Sequence, residues 1–236
     1  MTPTTAPDSS ARSTPTLFLW TAALSTLAAC IPLLWPALDL RAAALFAVRG
    51  APLYQLDWWW LRAINDYVPT VFRYFLLLAA IAWIVAMRLP RWAHWRFALA
   101  FFVIAGVLGP GAVVNWGFKD NWQRARPYQV QNFGGSQQFT RAAVMTDQCD
   151  ANCSFVSGHV SCGIFLASLA LVQRRRQRFW CLLGAGSGLL IGFARMADVA
   201  HWLSDVLWAY PITLLSSWLV WKAMLWFVNK PTRTLA

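Results

Sequence analysis

Long apolar stretches alternate with shorter polar ones along the whole chain, and their lengths suit a bilayer better than a soluble core. A helix needs about 20 apolar residues to cross the hydrocarbon region. By that ruler spans fall near 17–37, 70–88, 97–118, 159–173, 179–196 and 200–228, the fourth being short. Between the first two, residues 38–69 mix apolar and charged positions around Asp57, Arg62 and Asp66, which predicts short helices lying in the interface. The longest polar stretch, 119–156, carries Asn132-Phe-Gly-Gly-Ser136, a loop signal. The expected fold is all-α: a six-transmembrane-helix bundle in one domain over 17–228, with short interfacial helices between spans one and two. A longer outward loop joins spans three and four. Residues 1–16, rich in Thr, Ser and Pro, read as a disordered tail, and 229–236 as a short C-terminal one.

Composition supports the bilayer as solvent. With 58% hydrophobic and only 12% charged residues, an ordinary soluble domain is excluded. Sixteen Trp residues fit the same setting, because indoles favour the interface, and Trp58, Trp59 and Trp60 read as part of such a belt. A net charge of +11 would suggest nucleic acid as partner for a soluble protein; here the basic residues lie between apolar runs and set topology instead. Arg88, Arg91 and Arg96 flank one connection, Arg174, Arg175, Arg176 and Arg178 fill another, and Lys230 and Arg233 mark the end. All three fall on one side of a six-span bundle, so both termini are expected in the cytoplasm and the 119–156 loop outside. Leu27-Ala-Ala-Cys30 has the form of a lipoprotein processing site, but apolar sequence runs on through Trp35, as in an uncleaved span.

Charged residues at the ends of membrane spans are costly to desolvate, and three clusters of them stand out. The first is Lys119-Asp-Asn-Trp-Gln-Arg124-Ala-Arg126-Pro127. Were the third span to continue helically to Pro127, Lys119 and Arg126 would lie two turns apart on one face, with proline ending the helix. Arg124, between them, is expected to be solvated or to face lipid phosphates. The second cluster is Ser154-Phe-Val-Ser157-Gly158-His159, where Ser157 and Gly158 can offer a hydroxyl and backbone N–H groups to an anion. The third runs from Arg195 through His201 to Asp205; the i, i+4 spacing would put His201 and Asp205 on one helical face. Taken singly, each has a structural reading: anchoring cations, a tight helix start, a hydrogen-bonded histidine.

Together the clusters resemble the type-2 phosphatidic acid phosphatase superfamily, whose signature reads Lys-x6-Arg-Pro, then Pro-Ser-Gly-His, then Ser-Arg-x5-His-x3-Asp. Order and spacings fit from Lys119 through Asp205. Two positions depart: Val156 stands where the family has Pro, and Ala194 where it has Ser, which removes one hydroxyl from the phosphate site. The resemblance implies an integral membrane lipid phosphatase without metal or cofactor. Lys119, Arg126, Arg195, Ser157 and Gly158 would hold the phosphate, His201 would attack phosphorus, Asp205 would orient it, and His159 would handle the leaving-group proton. The implied partners are the bilayer and a lipid phosphate, with no nucleic acid; the oligomeric state is left open.

The implied substrates are envelope lipids: lipid A, undecaprenyl pyrophosphate, phosphatidylglycerol phosphate or phosphatidic acid. The preponderance of Arg over Lys leans toward a bacterial inner membrane protein with its site facing the periplasm, and toward lipid A or a prenyl phosphate. The loop carrying Phe133, Gly134, Gly135 and Phe139 is expected to shape headgroup choice. Cys149 and Cys153 share the outward loop and form a candidate disulfide. A lipid-to-lipid phosphotransferase would use the same site. A transporter would instead carry its ionic residues within the spans, and a vanadate-dependent haloperoxidase would be soluble.

Overall fold

A computed structural model describes residues 13–54 and 56–230; most of the expected N-terminal tail, and residues 231–236, lie outside the described residues. Among the described residues the chain is helical, with no strand and one isolated bridge between Val130 and Gln137. In order come α1 (Thr16–Leu34), α2 (Ala37–Ala47), α3 (Trp59–Arg88) and α4 (Arg96–Gly106), the last running on through a π-wound stretch, Val107–Lys119, into the single turn α5 (Asp120–Trp122). After the long loop follow α6 (Gly158–Ile164), extended by the 3-10 stretch Phe165–Leu171, then α7 (Gln177–Ala197) and α8 (Leu203–Asn229).

Five helical stretches are long and apolar enough to cross a membrane, and Gly158–Leu171 is shorter. Large apolar side chains such as Leu24, Leu78, Leu182 and Leu219 point away from the bundle, as lipid contact requires. Indoles exposed near the span ends, Trp20, Trp35, Trp59 and Trp226 among them, fit interfacial positions.

The second span differs from its expected length. It begins at Trp59 rather than near residue 70, so only α2 remains as a short helix before it. Arg62, Asn65, Asp66 and Pro69 break the hydropathy there, yet the backbone stays helical; at 1.5 Å per residue, α3 is roughly 45 Å long, more than the apolar slab needs. Its extra turns reach His159 at the start of α6, through the Asn65 carbonyl.

Close packing inside the bundle depends on small residues. On α7 the spacing Gly184-x3-Gly188-x3-Gly192 gives a smooth face, and a Cβ there would strike Ala167, Tyr210 and Val206 respectively. Such stripes let membrane helices approach without a hydrophobic driving force. The Tyr210 hydroxyl closes the contact by donating to the Ala185 carbonyl at 2.9 Å. α8 packs against α1, α4 and α6, which places its N-terminal end beside the second and first charged clusters. Ser13 and Thr14, expected in the tail, are tied to Arg174 and Trp218.

Candidate active site

The third span supplies the first cations. Its helix ends at Trp122, and Gln123 turns the chain out with φ 47°, so Lys119 and Arg126 do not share a helical face as expected. They meet through a third residue. Lys119 Nζ donates to Asn152 Oδ1 at 3.0 Å, while Arg126 Nη2 and Nε donate to the Asn152 carbonyl at 2.7 and 3.1 Å. Asn152, at φ 50°, lies inside the small ring closed by Cys149 and Cys153, whose Cα atoms are 5.7 Å apart and whose sulfurs are bonded.

Ser157 stands at the N-cap position of α6 without a side-chain capping bond, and the helix opens at Gly158. The Ser157 amide donates to the Asp205 carbonyl at 3.2 Å, joining the start of α6 to the start of α8. His159 follows in the first turn, its Nε2 donating to the Asn65 carbonyl of α3 at 3.0 Å. The positive charges of Arg195, Lys119 and Arg126 all reach this imidazole.

His201 is not on a helix. It sits in the turn between α7 and α8, and Asp205, in the first turn of α8, folds back toward it because its Oδ2 accepts from the Trp202 amide at 2.9 Å. His201 Nδ1 is then 3.5 Å from that oxygen, in contact but beyond a hydrogen bond. Burial drives the imidazole far below its ordinary value, to about 3, with the nearby Asp205 opposing the shift and Arg195 and Arg126 adding to it. His201 is therefore neutral at physiological pH, its ring lone pair available.

Buried polar atoms of this region with no hydrogen-bond partner among the described residues include Ser157 Oγ, Arg195 Nε, Asn65 Oδ1 and both nitrogens of His201. Buried polar atoms are paired in the great majority of cases, so such a group marks a candidate ligand site. Among the described residues Arg195 otherwise pairs only with the half-exposed Asp198, at 3.1 Å.

Residues 97–229, more than half of the sequence, match the PAP2 superfamily. The chain belongs to the PAP2 superfamily. Among curated proteins it is similar to the lipid A 4'-phosphatase of Francisella tularensis subsp. novicida, with 39% identity over 134 residues, 55% of this chain and 60% of that protein. It is similar also to the lipid A 4'-phosphatases of Rhizobium leguminosarum and Rhizobium etli, each 35% identical over 120 residues, or 50% of this chain and 50% and 45% of theirs. The matches thus span about half the length of these relatives. No solved structure matches the chain.

Arg124 of this PAP2 chain is neither solvated nor turned to lipid. It is fully buried between the rings of Trp202 and Phe139, with Nη1 donating to Asp205 Oδ1 at 2.6 Å and Nη2 to Asp39 Oδ2 at 2.8 Å. Nε donates to the Thr140 carbonyl at 2.9 Å, so the guanidinium is neutralised and fixed from three directions. Asp39, on α2, also accepts from the Ser204 amide at 2.8 Å and the Ser204 hydroxyl at 2.6 Å. Burial raises its pKa, while Arg124 and Ser204 hold it down. Ser154 Oγ completes the shell by donating to Asp205 Oδ2. Phe133 and Phe139, from the loop expected to shape headgroup choice, pack against Trp202.

Sequence reasoning missed Asp39, Asn65 and Asn152. Asp39 carried a usable signal, being an acid on a short helix whose other residues are apolar except Arg41, in a chain with only nine acidic residues. The other two act partly or wholly through backbone carbonyls, which every residue has.

Proposed function

We propose that this PAP2 protein is an integral membrane phosphatase that removes phosphate from a lipid through a phosphohistidine on His201. One observation supports this above all: a neutral, buried imidazole with an unpartnered nitrogen lies among Arg126 and Arg195, with Asp205 behind it. A phosphoryl group in transfer carries charge on three equatorial oxygens, and fixed cations in a dry site stabilise it strongly. Lys119, Arg126 and Arg195 supply that charge, with Ser157 Oγ and the Gly158 backbone as further contacts.

In the proposed reaction Asp205 faces Nδ1 of His201, and Nε2 attacks phosphorus. The P–N bond forms as the P–O bond to the lipid breaks, and His159 delivers a proton to the departing oxygen. Water then attacks phosphorus, His159 takes its proton, the P–N bond breaks and inorganic phosphate leaves.

A lipid substrate suits the surroundings. A cavity of about 420 Å³ runs from Lys119, Gly158 and His159 between α3 and α4, walled by Phe72, Leu76 and Val107. An anionic head at the cationic end and acyl chains along the wall would match it. The named relatives support lipid A as the first substrate to test. We place the chain as a single six-span domain in a bacterial inner membrane, with the 14-residue Gly158–Leu171 stretch as the fourth crossing, both termini cytoplasmic and the site periplasmic. Half of that stretch is 3-10, which rises about 2 Å per residue and so lengthens it to roughly 25 Å.

Phosphate release from lipid A, undecaprenyl pyrophosphate, phosphatidylglycerol phosphate and phosphatidic acid in detergent tests the proposal, with His201→Ala as control. Lipid A should be turned over fastest and the variant should release nothing. Release by the variant, or none by the wild type on any lipid, would contradict it.

A further inference from the structure

Pro69 lies in the interior of α3, four residues after Asn65. A proline has no amide hydrogen, so the Asn65 carbonyl lacks the donor that the regular i to i−4 pattern would give it; the pyrrolidine ring also pushes that carbonyl off the helix axis. A carbonyl freed in this way needs another partner, which a neighbouring helix can supply. Here the partner is His159, whose Nε2 lies 3.0 Å from Asn65 O. Since a carbonyl can only accept, Nε2 carries the hydrogen.

We infer that Pro69 is a positioning residue for the phosphatase reaction: it frees the Asn65 carbonyl so that His159 is held by Nε2, leaving Nδ1 as the nitrogen that gives and takes the proton. The bond fixes both the ring orientation and the tautomer, the two properties a general acid needs before geometry and driving force count. The turn of α3 beyond Asn65 has a second link to the site, because the charge of Asp66 reaches Arg195. Pro69 itself lines the same cavity as His159 and Lys119. Thus the helix start that hydropathy leaves out of the second span is the part that touches the reacting groups.

The inference rests on His159 being the proton carrier, and the test separates the two. Pro69→Ala restores the amide at position 69, which competes with His159 for Asn65 O. Alanine favours a helix interior over proline, so the fold should be no less stable. The purified full chain in detergent is assayed on lipid A, whose sugar oxygen needs a proton to leave, and on dinitrophenyl phosphate, whose phenolate does not. Pro69→Ala should lower kcat on lipid A by about tenfold with KM unchanged, a fraction of what a general acid contributes, and leave kcat/KM on dinitrophenyl phosphate unchanged. The apparent Tm should not fall. His159→Gln should lower kcat on lipid A further still.

If His159→Gln keeps full lipid turnover, the role of His159 fails and the inference with it. If His159→Gln loses turnover while Pro69→Ala does not, or if Pro69→Ala loses equally on both substrates, the inference alone is overturned. Pro69→Ser, which restores the same amide, replaces the alanine variant should that one express poorly; failure of both to fold would also count against it.

Discussion

Asp39 and Arg124, 85 residues apart in sequence, form a 2.8 Å ion pair with neither side chain exposed. Arg124 then bridges to Asp205, so the short helix after the first span is fastened to the carboxylate behind His201. Removing one member of a buried charge network leaves the others uncompensated, at roughly 3–5 kcal/mol. Arg124→Leu would strand two buried carboxylates and should sharply lower the apparent Tm in detergent; Asp39→Asn should lower it less, since the amide keeps a hydrogen-bond acceptor for Ser204. Wild-type melting of Arg124→Leu would refute the linkage.

The neutral His201 makes stability depend on pH. The unfolded chain takes up a proton near the ordinary histidine value of 6.5, whereas the folded site resists until about 3. Stability from this group is therefore complete above 6.5 and declines as pH falls through that window, by about 1.4 kcal/mol per unit. Between pH 6.5 and 4.5 the wild type should lose about 2–3 kcal/mol that His201→Asn does not lose. Parallel Tm profiles for the two proteins would show that the imidazole is not held neutral.

Asn152 holds Lys119 and Arg126 together from inside the Cys149–Cys153 ring. Opening the ring with Cys149→Ser and Cys153→Ser should loosen both cations and raise KM for the phosphate substrate several-fold, with a smaller change in kcat. An unchanged KM would mean that the ring does not position them.

His94 lies in the basic connection before α4, with its ring against Trp95 and away from the charged clusters. His94→Ala should keep wild-type turnover. A loss comparable to that of His159→Gln would contradict the placement of the site.

The site's charged members were legible because Lys119, Arg126, Arg195, His159, His201 and Asp205 sit at fixed spacings beside apolar runs, where charge is costly and needs a reason. Their arrangement was less so. Helical periodicity suggested shared faces for Lys119 with Arg126 and for His201 with Asp205, whereas a left-handed turn at Gln123 and a side-chain cap at Trp202 bring them into place. The burial of Arg124 depends on Asp39, Phe139 and Trp202 converging from three distant segments, which no local pattern encodes. Hydropathy likewise began the second span after its polar turns, although α3 is helical from Trp59 and those turns carry the Asn65 carbonyl to His159.

The covalent step is tested most directly by rapid acid-free quenching of the protein with radiolabelled lipid phosphate, followed by peptide mapping. An alkali-stable, acid-labile phosphate on the peptide containing His201, absent from His201→Ala, is the predicted result. Turnover at the wild-type rate with no label on His201, or label on another residue, would contradict it.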